Sequence, residues 1–254
     1  MGTPDLAAEA CVRGPGAASL RIDRCAPSRA TPSLAPDADA ANLAAGLGGG
    51  TLDLSRGLFI TFEGVEGSGK TTQAELLGEA LSSRNAVVVR EPGGTELGER
   101  MREVLLFGGM QIDAEAEMYL FMAARGQLIA EVIRPGLEAG HVVIADRYHD
   151  STLAYQGGGR GLVTSWPPSF PKPDVTFLLE LPVEGGRLRQ IVAGKKADRV
   201  ESEAPDFHER VAVAYAKLAA AEPHRFVRVD ARDTRENVQS IVRQRVDALL
   251  AAGL

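Results

Sequence analysis

From residue 58 onward the chain alternates short, almost unbroken apolar runs with longer stretches whose apolar side chains recur every three or four residues. The short runs fall at 58–62, 86–89, 142–145, 175–181 and 226–229. A half-exposed strand would alternate apolar with polar positions, so these continuous runs predict strands covered on both faces, as in a parallel sheet between helices. The longer stretches predict helices at about 71–83, 95–106, 113–139, 149–156, 205–221 and 234–252. The last opens on Asp233-Thr234-Arg235-Glu236, which reads as an acidic N-cap with a glutamate three residues later. Strands alternating with helices imply right-handed crossovers. The expectation is therefore an α/β domain over 58–254, with a doubly wound five-stranded parallel sheet flanked by helices.

Residues 1–57 read differently. Ala, Gly and Pro supply 26 of the 57, and the first aromatic residue is Phe59. Such a segment has too little apolar surface to offset the entropy of ordering it, so a disordered tail is expected there, with Gly48-Gly49-Gly50 as a flexible joint. A targeting peptide is disfavoured by Asp5, Glu9, Asp23, Asp37 and Asp39 and by the absence of a continuous apolar core. Across all 254 residues, 28 Lys+Arg stand against 34 Asp+Glu, a net charge of −6. That balance argues against non-specific nucleic-acid binding, and no apolar run approaches the roughly 18 residues of a membrane span. The two cysteines, Cys11 and Cys25, both lie in the tail, which leaves a zinc cluster, a disulfide framework or a thiol nucleophile without support in the domain.

The chemistry begins at the end of the first strand. Gly64-Val65-Glu66-Gly67-Ser68-Gly69-Lys70-Thr71 fits G-x-x-x-x-G-K-[ST], with an apolar run before it and, through Thr72, an amphipathic helix after it. Glycines let backbone N–H groups converge on phosphate oxygens, and the helix N-terminus adds favourable potential. Lys70 reaches the terminal phosphates of a nucleoside triphosphate, and the Thr71 hydroxyl suits Mg²⁺. The plainer reading is a glycine-rich turn without a ligand. No Asn-Lys-x-Asp, His-Arg-Asp or Asp-Phe-Gly sequence follows, so the GTPase and protein-kinase signatures are missing.

Four later stretches point to a second substrate: Arg90-Glu91-Pro92-Gly93-Gly94-Thr95 after the second strand, Phe121 and Arg125 four apart on the long helix, Asp146-Arg147-Tyr148 after the third strand, and Tyr155-Gln156-Gly157-Gly158-Gly159-Arg160. With the phosphate loop, and in this order from about residue 58 to the C-terminus, these motifs resemble the bacterial thymidylate kinases. The resemblance implies the P-loop NTPase fold, ATP and dTMP as substrates, Mg²⁺ as cofactor, a cytoplasmic homodimer, and no nucleic-acid or membrane partner. It implies that Phe121 stacks on the pyrimidine and that Arg125 donates to a base carbonyl. Gln156 or Thr152 reads the remaining polar edge, and Tyr155 packs under the sugar and excludes a 2′-hydroxyl. Arg90 and Arg147 hold the acceptor phosphate, Pro92 and Ser151 lie in the acceptor pocket, Glu66 reaches the 3′-hydroxyl or orients an arginine, and Asp146 orders the Mg²⁺ shell with Thr71.

Plainer readings stand beside these: Phe121 as a core residue, Arg125 as a solvated helix charge, Tyr155 as a turn cap. Because the attacking phosphate oxygen is already anionic, no general base is needed, and catalysis reduces to positioning and charge neutralisation. The loop positions Val65 to Ser68 carry no basic residue, so Lys70 and Arg147 need help from a basic lid at about 184–200. There Arg189 and Arg199 are the expected agents, although the segment also reads as a solvated helix. Family members usually have a longer, partly helical segment at 161–173. Four prolines in those thirteen residues exclude a regular helix, and Trp166 is expected to anchor the loop. Two other readings remain open at this point: a related nucleotide kinase with another base preference, and a catalytically weak nucleotide-binding switch.

Overall fold

The structure is a computed structural model that describes residues 56–252. The expectation for the tail falls outside the described residues except at its end. There Gly57 is buried, donating its N–H to the Leu137 carbonyl at 2.7 Å, and Arg56 pairs with Asp174. These two residues belong to the folded body.

Five strands form one parallel sheet: β1 (Phe59–Glu63), β2 (Val87–Arg90), β3 (Val143–Asp146), β4 (Val175–Glu180) and β5 (Phe226–Asp230), in the order β2-β3-β1-β4-β5. All five expected strands are present. Alternation on β1 sends Leu58, Ile60 and Phe62 into one core and Phe59 into another. On the first face the sheet meets α1 (Lys70–Ala80) and α8 (Arg235–Ala251). Helix α8 buries Val238, Val242, Val246 and Leu249 at helical spacing, each worth roughly 1.5–3 kcal/mol when fully covered. The opposite face carries α2 (Glu96–Arg102), α3 (Ala114–Leu128), α4 (Arg134–Glu138), α5 (His149–Thr152) and α7 (Pro205–Ala221).

The long helix expected at 113–139 is continuous but widens into a π-helical turn at Ile129–Ile133 between α3 and α4. Similar turns extend α2 through Phe107 and α5 through Gly159. A helix α6 (Val183–Val192) occupies the front of the expected lid, so that segment's helical reading holds. The cap of α8 is displaced by one residue from expectation. Thr234 is the N-cap, its hydroxyl accepting from the Asn237 N–H at 3.2 Å, while Asp233 bonds the Asn237 side chain. Trp166 does anchor the proline-rich loop. Its indole donates to the Phe170 carbonyl at 3.0 Å and meets His149 edge-on.

Candidate active site

The chain turns left after β1 and right after β3, so a crevice opens at the carboxyl end of β1, where ligands gather in open α/β sheets. A cleft of ≈ 500 Å³ lies there. Its floor is the loop from Gly64 to Gly69, which leads into α1 through Gly69 at a φ of 95°. Lys70 is buried and donates to the Val65 carbonyl at 2.8 Å and to Ser68 at 3.4 Å, folding back over the loop it ends. Burial, with Arg147 nearby, lowers its ammonium to about 8. Thr71 donates to Asp146 at 2.5 Å, which joins the end of β3 to the loop. Of the loop residues, Glu66, Gly67, Gly69, Lys70, Thr71 and Thr72 line the cleft, while Gly64, Val65 and Ser68 shape it from behind. Across the loop lies α6. A Cβ on Gly67 would meet the Gly186 carbonyl at 2.3 Å, so the two backbones touch only because both residues are glycine.

Arg147 sits at a φ of 70°, a strained conformation for a residue with a side chain, costing roughly 1–3 kcal/mol. Its contacts hold it there. The guanidinium donates to the Gly64 carbonyl, Ser151, Tyr215, Glu66 and Tyr155, at 3.0–3.3 Å. Glu66 in turn accepts from Tyr155 and lies 3.3 Å from His208 Nδ1. Burial opposes the charge on Glu66, but His208, Arg147 and Lys70 keep its carboxyl well below the usual range. Beneath them Glu63 accepts from the Tyr148 and Ser151 N–H groups and from the Ser151 and Tyr215 hydroxyls, stitching β1 to α5 and α7.

The far wall is the acceptor side. Phe121 is half-buried and faces the cleft with Thr152, Tyr155 and Gln156. Arg125 is 2% exposed, which removes the solvated-charge reading. Its donors go to Glu91 at 2.6 Å, Thr152 at 2.8 Å, the Tyr148 carbonyl at 3.1 Å and His149 Nδ1 at 3.4 Å. With a second, ion-pair contact to Glu91, these partners surround the guanidinium, so the donation to a base carbonyl expected of Arg125 would require it to give one of them up. Arg90 is half-exposed and pairs with Glu99 at 3.3 Å, and Pro92 is buried beside it.

The structure brings every expected acceptor residue and Arg189 to one cleft, but not Arg199. Arg189 crosses the loop, donating to the carbonyls of Gly67 at 3.5 Å and Ala231 at 2.8 Å. Arg199 turns the other way, to the Leu105 carbonyl at 2.7 Å and to Glu117 at 2.6 Å, where it compensates a carboxylate that would be costly to bury alone. Sequence reasoning missed Arg102, whose only signal is a basic residue ending the apolar face of α2. Arg102 lines the cleft and donates to the Pro92 carbonyl at 3.0 Å; burial and Arg90 lower its pKa. Lys195, one of the basic residues of the expected lid, also lines the cleft and pairs with Glu201 at 2.8 Å.

A phosphate loop on the central strand, facing a second pocket rimmed by arginines and floored by an aromatic, defines a P-loop nucleotide kinase. The thymidylate kinase family model matches residues 62–242. Curated thymidylate kinases of Clavibacter sepedonicus and Pseudomonas fluorescens are 45% and 48% identical over 206 and 204 residues, covering 78% and 76% of this chain and 98% and 95% of theirs. The crystal structure of thymidylate kinase from Ehrlichia chaffeensis superposes with a TM-score of 0.58 at 32% identity, over 75% of this chain and 98% of that one. The chain belongs to the thymidylate kinase family.

Proposed function

We propose a division of labour for the reaction that this membership gives the chain, phosphoryl transfer from ATP to dTMP yielding dTDP and ADP. The observation that carries it is the placement of the phosphate loop and the arginine-rimmed pocket on one cleft. Lys70 and the loop N–H groups hold the ATP phosphates, and its pKa of about 8 leaves its charge ready to be fixed by them. Arg147 bridges donor and acceptor, because its guanidinium already touches both the loop and Tyr155. Arg90 and Arg102 receive the acceptor phosphate. Arg102 has no acidic hydrogen-bond partner among the described residues, and a phosphate would reverse the depression of its pKa. Phe121 stacks on the pyrimidine, Tyr155 lies under the sugar, Glu66 is close enough to Tyr155 to reach a 3′-hydroxyl, and Arg189 is the lid cation.

Thr71 and Asp146 suit Mg²⁺. They pair a hydroxyl with a carboxylate, both hard oxygen donors. When bound, the ion neutralises charge between donor phosphates. With no proton to remove from the acceptor phosphate, the residues serve to align and to screen charge.

Among the described residues no helix is long and apolar enough to cross a membrane, and we assign the chain to the cytoplasm, where its substrates lie. Residues 1–53 are assigned as a dispensable tail. Leu97, Val104 and Phe107 are 41%, 40% and 63% exposed on α2 and its π turn, an apolar strip that supports pairing of two copies through helices. An ADP-release assay with ATP, Mg²⁺ and each nucleoside monophosphate, with products identified by chromatography, tests the proposal. Turnover is expected with dTMP and little with UMP or dCMP; ATP binding without turnover on any acceptor refutes it.

A further inference from the structure

We infer that Glu117 selects the base: by holding the Gln156 amide in one orientation, it turns a carbonyl oxygen toward the cleft and favours a pyrimidine that offers a ring N–H. The inference rests on the acceptor site assigned above. Glu117 lies on α3, is 1% exposed and stands behind Gln156 rather than in the cleft. Gln156 Nε2 donates to Glu117 Oε1 at 2.9 Å. An ionised carboxylate only accepts, so the NH₂ end must face it; the flipped amide would set oxygen against oxygen. Two arginines keep Glu117 ionised. Arg160 donates at 3.2 and 3.0 Å, and Arg199 lies 2.6 Å away. Burial opposes the charge, yet hydrogen bonds from Arg160, Gln156 and Arg199 hold the carboxyl below its ordinary range. Gln156 lines the cleft, and its oxygen is the end left for a ligand.

Thr152 supplies the complementary half. Its hydroxyl accepts from Arg125 at 2.8 Å. Since a guanidinium only donates, the hydroxyl proton remains to be given elsewhere, and Thr152 lines the same cleft. The pocket thus presents a donor beside an acceptor. Thymine and uracil present the carbonyl O4 beside N3–H, which matches. Cytosine presents an amino group beside an unprotonated N3; the second lone pair of the Thr152 hydroxyl can take the amino group, but N3 has no proton to give to the Gln156 oxygen, so the rejection falls on Gln156. Neither residue reads the 5-methyl group, so this pair does not separate thymine from uracil.

The test is Glu117→Gln in the full chain, with kcat and KM measured for dTMP and dCMP and the melting temperature alongside. A glutamine can offer Gln156 either end, which frees the amide to flip. The dTMP-over-dCMP ratio of kcat/KM should fall at least about tenfold, through KM, because a mismatched buried polar pair is what rejects the wrong base. Arg160→Met, which removes a partner of Glu117 but leaves the amide contact, should lower the melting temperature and keep the ratio within about twofold. An unchanged ratio in folded Glu117→Gln overturns the inference. If that variant does not fold, ¹⁵N-glutamine labelling of the unmodified chain decides. A slowly exchanging, downfield Gln156 side-chain amide supports the inference, and a freely exchanging one overturns it. Absence of dTMP turnover by the unmodified chain would instead defeat the acceptor assignment, while the amide signal would still report the orientation.

Discussion

The two sides of the cleft are held in different ways. On the loop side, Arg147 touches five partners from α5 and its π turn, α7 and the loop itself, and Glu63 beneath it is fully buried with four hydrogen bonds. On the lid side, Arg189 holds two backbone carbonyls, and Lys195 keeps one exposed ion pair. Exposed pairs contribute little, about 0–1 kcal/mol, whereas breaking a buried one costs several. The fixed side therefore sets geometry before substrates arrive, and the loosely held side supplies charge that can be rearranged around them. Leu188, Ile191 and Val192 on α6 are 62%, 71% and 80% exposed, so apolar burial does little to fix the lid helix either.

The strongest way to break this contrast is at its fixed end. Lys70→Met should lower kcat about a thousandfold, with the fold intact by circular dichroism; near-normal turnover would remove the loop from the chemistry. A smaller effect is expected from the lid. Arg189→Ala should cost about a hundredfold in kcat with little change in melting temperature, while Arg199→Ala should cost less than about threefold and instead lower the melting temperature. The reverse order would mean that Arg199 leaves Glu117 to act on phosphate.

A subtler difference lies in the wall between them. Burial pushes the Glu91 carboxyl from 4.5 up to about 7 despite Arg125. A raised carboxyl contributes stability that is full below 4.5 and is lost as pH rises through about 7. The melting temperature of the unmodified chain, measured relative to Glu91→Gln, should therefore fall across that interval, and a difference flat in pH would show that Glu91 is not strained by burial. The smallest effect is expected outside the cleft altogether. Removing residues 1–53 should leave turnover and melting temperature almost unchanged, and a large loss of either would make that segment part of the working protein.

Much of the fixed side was readable along the chain, since its loop is one contiguous motif and the three inner strands are nearly unbroken apolar runs, whereas the edge strands β2 and β5 are only partly buried. What escaped depends on contacts between distant residues. Tyr215 meets Glu63 across 152 residues, and Gln156 meets Glu117 across 39, with no local pattern announcing either. The lid segment left two readings open because Gly185 and Gly186 are poor helix formers, and the close approach of the Gly186 backbone to the loop leaves no room there for a side chain. Arg199 was misplaced because a basic residue in a basic segment gives no hint that a buried carboxylate lies within reach.

The enclosure of Arg125 by its partners has a consequence for anyone designing an inhibitor against the acceptor pocket. A compound that directs an acidic group at Arg125 must first pull it away from Glu91, Thr152 and the Tyr148 carbonyl, and would leave a buried carboxylate behind. The same group aimed at Arg102 meets a cation whose hydrogen-bond partner among the described residues is the neutral Pro92 carbonyl. Affinity is to be sought at the mouth of the pocket, and a neutral, shape-matched ring suffices at its end.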